Sequence, residues 1–526
     1  MRPQLDRAPA ITAIALLLGG GCAAGTASGN VPDGGSGGGA MAGAGGAAGG
    51  GPGGGAGALG SVLTVHLVPA TGVAGMTRVN FAVPLRPGQL TDASRVRVLS
   101  AATELRSGRR ALASHGDGSV RSVQVQVDVP IAGESDLTVR IGEAATAGDL
   151  PLVPVAGTLM PEDGTAGPRV WPLLPAAWLS GSGVAGPQVP EADVANSPLD
   201  AWKTICNYTR FDVTAFLTMQ ADASVWLFDR GTAAYRGYVR RGDRVTLETA
   251  YRETAIYRAG ITGTGDGTRI GLPGKADDLK YYYAQNLALH YLLTGDDRFR
   301  ESAEAVAARA GALWTSPGYQ GGADFWTERH AGFGLLAYVW GMIVSDDRAA
   351  EFKSLADTAV TAYLDMQDKY PVGYADADAR CFAHSADAHG ETYGYFGCSP
   401  WMSAILADAL DTYATERGGA EATRARASLV KLGKIVARDG RDPTGKPFYW
   451  MGVGTTMDEV DPDDEHWGES AYLVAMAWHH GGRSDAALAT IARDLVAGTK
   501  ANGGAPHMRS FNWQCRSAVA TPFYLR

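Results

Sequence analysis

From residue 224 onward the chain alternates between two hydrophobic patterns. Segments 224–240, 277–293, 326–344, 400–415 and 464–480 are apolar on nearly every face, as in helices buried on all sides. Each is followed by a segment with one apolar stripe and a charged remainder: 244–257, 298–314, 349–368, 420–438 and 484–500. Gly- and Asp-rich turns such as Arg241-Gly-Asp243, Thr294-Gly-Asp-Asp297 and Ser345-Asp-Asp347 separate them. Buried helices alternating with amphipathic ones predict two concentric layers, whereas a solenoid would repeat the same amphipathicity in both helices of a pair. The expectation for residues 201–526 is therefore an (α/α) toroid of five to six helical hairpins, with segment 511–525 completing the ring.

Upstream the period changes to two. Segments 62–68, 95–99 and 120–129 alternate and are rich in valine, and an Asp117-Gly turn precedes the last of them. This predicts an antiparallel β-domain over 61–155 with one face in water. Residues 156–200 are rich in Pro, Gly and Ala and are expected to connect the two domains with little regular structure. The fold class expected is multidomain α+β.

Arg2 and Arg7 precede an apolar run at 8–18, too short for a finished span and shaped like a secretory h-region. Small residues then lead to Cys22, so residues 1–22 are expected to be a lipoprotein-type signal with Cys22 lipidated; secretion without lipidation is the alternative. About half of residues 23–60 are glycine, a composition that cannot order itself. As a coil it spans about 30–35 Å, a tether for an exported body on a bacterial membrane. In an oxidising compartment the four remaining cysteines can pair in three ways. Cys381–Cys398, closing a short loop, with Cys206–Cys515, joining the ends of the helical region, is the favoured set, and free thiols are the alternative. The formal charge of −9 opposes nucleic-acid binding. The chain is expected to be monomeric and to meet a membrane through its lipid alone.

Two motifs in the β region add a resemblance. Val79-Asn-Phe-Ala-Val-Pro-Leu-Arg-Pro-Gly88 and His115-Gly-Asp-Gly-Ser-Val-Arg-Ser-Val-Gln124 resemble the N-terminal β-domain of exo-rhamnogalacturonan lyase-like proteins. This resemblance spans about 50 residues. It implies an α/α toroid farther along and action on a uronic-acid-containing glycan, although the chain has no counterpart of that family's middle β-domain.

In a ring of parallel inner helices the N-termini gather at one mouth, where unpaired N–H groups favour anions. His330, His384, His389, His466 and His507 fall in the loops or first turns that would open there. β-Elimination at a uronic acid needs a carboxylate neutraliser, a base for the C5 proton and an acid for the leaving oxygen. Arg329 is the candidate neutraliser, His330 and His389 the base or carboxylate-site residues, and Tyr393 the acid. Inverting hydrolysis would instead use two carboxylates, Glu391 and Glu469. Trp326, His466, Trp467, Arg509, Asn512, Trp513 and Tyr282 are the candidate substrate-binding residues, the indoles offering flat faces to sugar rings. For most of these residues core packing or helix capping is the competing role. A third reading is a tethered glycan-binding lipoprotein without catalysis. No Cys-x-x-Cys or His-x-x-x-His spacing points to structural zinc and no cofactor is expected. The acidic run Asp458-Glu-Val-Asp-Pro-Asp-Asp464 could bind Ca2+ or be a solvated loop.

Overall fold

The computed structural model describes residues 60–526 apart from 274–276, 315–326, 386–395, 454–465, 503 and 505–506. Cys22 and the 458–464 run, with their expected roles, lie outside the described residues. The described residues belong to one compact unit.

The architecture is mixed α+β, an antiparallel β region followed by helices. The strands are β1 (Val62–Pro69), β2 (Gly75–Pro84), β3 (Val96–Ser100), β4 (Thr103–Glu104), β5 (Ser107–Ser114), β6 (Val120–Ile131), β7 (Ser135–Ile141) and β8 (Val170–Leu173). One sheet has the order β4-β3-β7-β1-β8 and the other the order β2-β6-β5. The valines of β6 (Val123, Val125, Val127, Val129) share one face and join the core with Val79, Phe81 and Val139. The opposite face of β6 was expected to be wet. Instead Ser122 and Gln124 are buried under the end of the 284–294 helix, and Gln126 under the segment at Val153, with which it exchanges two hydrogen bonds. The connector also differs from expectation. It contains β8, which pairs with β1 in the register Val68↔Trp171, and the helices α1 (Ala176–Ser182) and α2 (Glu191–Val194).

Two short helices, α3 (Ala201–Ile205) and α4 (Val213–Met219), lead into the alternating series. Its apolar members are α5 (Arg230–Arg241), α7 (Ala284–Thr294), α9 (Glu328–Val344), α11 (Pro400–Arg417) and α13 (Trp467–His480). The amphipathic members are α6 (Arg244–Ala259), α8 (Asp297–Leu313), α10 (Ala349–Lys369), α12 (Gly419–Asp439) and α14 (Ala486–Asn502). The chain ends in α15 (Met508–Arg516) and α16 (Thr521–Tyr524). Every residue of α7 is buried, and in α9 all but Arg329 and Met342 are. That follows from their composition, since a helix lacking a polar face has none to show to water.

Consecutive apolar helices touch: α5 packs on α7, α7 on α9, α9 on α11 and α11 on α13, while α13 meets α16 and α15 meets α5. A buried ion cluster lies between them. Asp408 of α11 accepts from Arg236 of α5 at 2.8 and 3.0 Å and pairs with Arg516 of α15 at 3.1 Å. Arg516 also donates to Gln285 of α7 at 2.7 Å and lies over the Phe333 ring of α9 at 5.3 Å. Five helices thus contribute to one point. The disulfides Cys206–Cys515 and Cys381–Cys398 are both formed, the first tying the segment after α3 to α15.

The β2-β6-β5 sheet docks on the C-terminal ends of α7 and α11. Asn80 donates to the Thr294 carbonyl at 2.8 Å, Ser122 to that of Leu292 at 2.6 Å, and Arg121 pairs with Glu416 at 2.5 Å. Gly295, at φ 75°, caps α7 against this sheet, and a Cβ there would come within 2.4 Å of Gln124 Cδ. No helix among the described residues is long and apolar enough to cross a membrane.

Candidate functional site

At the opposite end of these helices the first turn of α9 gathers charged side chains. Thr327 caps the helix by accepting from the His330 amide. Glu328 is fully buried. One oxygen lies 2.7 Å from His384 Nε2, and the other accepts from the Ser399 amide at 2.8 Å and the Ser403 hydroxyl at 3.3 Å. A short ladder of β9 (Ile261–Thr262) with β10 (Arg269–Ile270) stands apart; His384 sits in β11 (His384–Ser385), which pairs with β12 (Phe396–Cys398) and through it with β13 (Met451–Gly452). The Cys381–Cys398 bridge closes the base of the 381–398 loop. Glu328 therefore anchors that loop to α9 and is not free to act on a ligand.

His330 is held on both ring nitrogens, Nδ1 by the Thr327 hydroxyl at 2.7 Å and Nε2 by Asp278 at 3.3 Å. Burial lowers the His330 imidazole pKa despite the Asp278 contact, so the ring favours its neutral form. Burial works to raise the Asp278 carboxyl, but its hydrogen bonds to His330 and to the Lys280 side chain and amide outweigh it and hold the group below the usual carboxylate range. With both nitrogens engaged, His330 is not placed as a free base. Its position is that of a brace between the 278–281 turn and α9.

Arg329 differs from its neighbours. It has no ion-pair partner among the described residues, and its Nε is buried without a hydrogen bond. Its guanidinium lies 5.8 Å from the Trp401 ring centroid, a cation–π distance. Burial lowers its pKa, with Tyr449 and Asp278 acting in the opposite sense.

Trp401, in the first turn of α11, stacks on His466, the cap of α13, at 5.0 Å and 9°. His466 in turn lies 4.9 Å from Trp513 of α15, and Trp401 is 6.1 Å from the same ring. Phe228, before α5, closes against both indoles at 5.5 and 5.4 Å. Tyr449 borders Trp401 at 5.5 Å and His466 at 5.9 Å. Glu469 is buried, with His466 Nδ1 3.6 Å from its carboxylate and no hydrogen bond to either oxygen. On the outer side Arg509 stands over Trp513 at 5.2 Å. Helix N-termini far apart in sequence thus bring a cation, an aromatic wall and a carboxylate-backed histidine together.

Of the sequence candidates, Arg329, His330, His466, Glu469, Trp513 and Arg509 fall in or beside this cluster. Three others do not face it. Trp467 lies with its ring against Gly498 of α14, where a Cβ would come within 2.1 Å of it, so it packs the outer layer. Asn512 donates to the carbonyls of Val225 and Leu227 at 2.8 and 2.9 Å and holds that turn in place. Tyr282 donates to Asp277 at 2.5 Å, which also takes Arg309 of α8 at 2.9 Å. For Trp467 and Asn512 the reason is helical phase, which the sequence pattern leaves open within one residue; Tyr282 lies in the turn before α7 and is taken up by Asp277. Trp326, His389, Glu391 and Tyr393, with the roles expected of them, lie outside the described residues. Phe228 and Tyr449 were not anticipated. Phe228 could have been suspected, since it stands immediately before the first apolar helix, as Arg329 and His466 stand at the start of theirs.

Among the described residues one group of three acids, Glu304, Asp346 and Asp347, has carboxylate oxygens within 4.8 Å of one another. It lies at the C-terminal end of α9, away from the cluster, and Arg300 already neutralises Asp346 at 2.5 Å. No protein-family model, curated protein or solved structure matches this chain.

Proposed function

We propose that the chain is an exported carbohydrate-active enzyme built on an (α/α) toroid, and that it cleaves uronic-acid-containing glycans by β-elimination. The toroid reading is supported by the succession of contacts from α5 to α13 and back through α16 and α15, with the Asp408 ion cluster on its axis. The lyase reading rests on one observation above the others. Arg329 presents a half-buried guanidinium that no carboxylate of the described protein neutralises, laid over the Trp401 ring at the edge of the aromatic wall. A partly desolvated cation gains from a carboxylate beside it, and a substrate uronate would supply one.

In this mechanism Arg329 pairs with the uronate carboxylate and draws charge from it, which acidifies the C5 proton. His466 takes that proton, and Glu469, 3.6 Å from Nδ1, stabilises the imidazolium that forms. The electrons of the C5–H bond form the C4–C5 double bond as the C4–O4 bond breaks, and O4 leaves with a proton. Tyr449 is the phenol beside His466 that could supply it. His330 positions Arg329 by bracing the turn they share. A second reading, inverting hydrolysis, draws on the buried carboxylate of Glu469. Non-catalytic binding by the aromatic wall is the third.

Incubation with a panel of uronate polysaccharides separates these readings. Unsaturated, ultraviolet-absorbing ends are the expected product. Saturated reducing ends would overturn elimination in favour of hydrolysis, and binding without product would leave a lectin-like role. Membrane tethering through Cys22 belongs to the same proposal. Metabolic labelling with a radioactive fatty acid, lost in Cys22→Ser, tests it.

A further inference from the structure

The Arg329–Trp401 pair has a counterpart. Arg509 stands over Trp513 at 5.2 Å as Arg329 stands over Trp401 at 5.8 Å. The two indoles are 6.1 Å apart, and His466 is in ring contact with both. Arg509, like Arg329, has no carboxylate partner among the described residues, although the chain carries 55 acids against 46 lysines and arginines. Most arginines near a buried aromatic in this protein also hold an acid; Arg300, for example, lies over Tyr291 and pairs with Asp346. The indole Nε1 of Trp513 is buried with no acceptor among the described residues.

We infer that the mouth has two adjacent anion subsites, Arg329 on Trp401 and Arg509 on Trp513, separated by His466, so that the ligand is a run of neighbouring acidic sugars and not an isolated one. The inference rests on the reading of Arg329 as a carboxylate site and extends it to the next unit of the chain. The two subsites differ in exposure. Arg329 is largely enclosed, whereas Arg509 is exposed. The first therefore selects for a carboxylate at the reacting sugar, and the second adds affinity for a charged neighbour. A glycan that alternates acidic with neutral sugars would satisfy only one of them.

The test uses the full chain and three probes: galacturonic acid, its linear trimer, and the same trimer fully methyl-esterified, which keeps the sugar faces and removes the charge. Binding is read from tryptophan fluorescence, since Trp401 and Trp513 lie in the subsites. The wild type is expected to bind the acidic trimer more tightly than either of the other probes. Arg509→Ala should weaken the trimer about threefold to fivefold, the scale of one exposed ion pair. It should leave the monomer unchanged, and Arg509→Lys should recover most of the loss. Because Arg509 is exposed, the substitution leaves the core intact, and an unchanged circular-dichroism melt would verify that. Equal weakening of monomer and trimer, or no effect on either, would overturn the second subsite while the Arg329 reading stands. Failure of the wild type to prefer any acidic probe over the ester removes both.

Discussion

Arg329 and Asp408 set two contrasting demands on single residues. Asp408 sits between Arg236 and Arg516, all three essentially inaccessible to water. Removing its charge strands two buried guanidinium groups, so Asp408→Asn is expected to cost about 3–5 kcal/mol, read as a shift in the urea midpoint at constant slope. Arg329 has no such partner to strand among the described residues. Arg329→Met keeps the length and packing on Trp401 while removing a half-buried charge that no described carboxylate pairs. It is expected to hold or raise the melting temperature and to abolish turnover on uronate polymers, a stability–activity trade-off. A variant that melted markedly lower would mean the guanidinium is structural. His479 sets a pH dependence. Burial lowers its pKa from 6.5 to about 4. As pH falls below about 6.5 the unfolded chain takes up this proton and the folded one does not, so this contribution to stability declines and the decline is complete near the folded value. His479→Phe should flatten the melting temperature over that window, and an unchanged slope would refute the assignment.

Helix pairs pack at places where glycine is the only side chain that fits. At Gly332, where α9 crosses α11, a Cβ would come within 2.7 Å of both Ile405 Cγ2 and the Leu406 amide. Gly332→Ala must push apart two helices buried on every face, at a cost of about 1–3 kcal/mol measurable by urea unfolding. Turnover should fall too, because Arg329 and Trp401 ride on the same pair of helices. What the sequence revealed at this scale follows from periodicity. A helix apolar all round announces its burial, so the apolar and amphipathic members of the series were legible within a few residues, as were the loop and long-range disulfides. Strand β8 was not legible: Val-Trp-Pro-Leu is four residues long, carries a proline and lies in a Pro/Gly-rich stretch. Nor was the covered face of β6, since polar residues at alternate positions look alike whether water or the end of a helix receives their hydrogen bonds. Within the site, residues at the start of a helix (Arg329, His466) were found by position, and Trp513, expected to precede the last helix, lies more than a turn inside α15. Trp467, one residue past His466, fell on the wrong side of the same turn.

Across the whole chain, the β region and the cluster occupy opposite ends of shared helices. Trp401 and Glu416 lie near the two ends of α11, separated by about 22 Å at 1.5 Å per residue. The sheet takes hold of Glu416, Thr294 and Leu292, whereas the cluster uses Trp401, Arg329 and the His466 cap. Stability and binding should therefore separate. Arg121→Ala leaves Glu416 without its partner in a mostly buried interface and is expected to cost about 2–3 kcal/mol. The same variant should bind an acidic sugar as the wild type does, because a rigid helix transmits no new side-chain contact to its far end. Urea unfolding followed by tryptophan fluorescence, with a binding titration on the same sample, measures both. An unfolding midpoint that falls while affinity holds would establish the sheet as a clamp on the helical body. Affinity falling in step with stability would instead show that the sheet helps to shape the mouth.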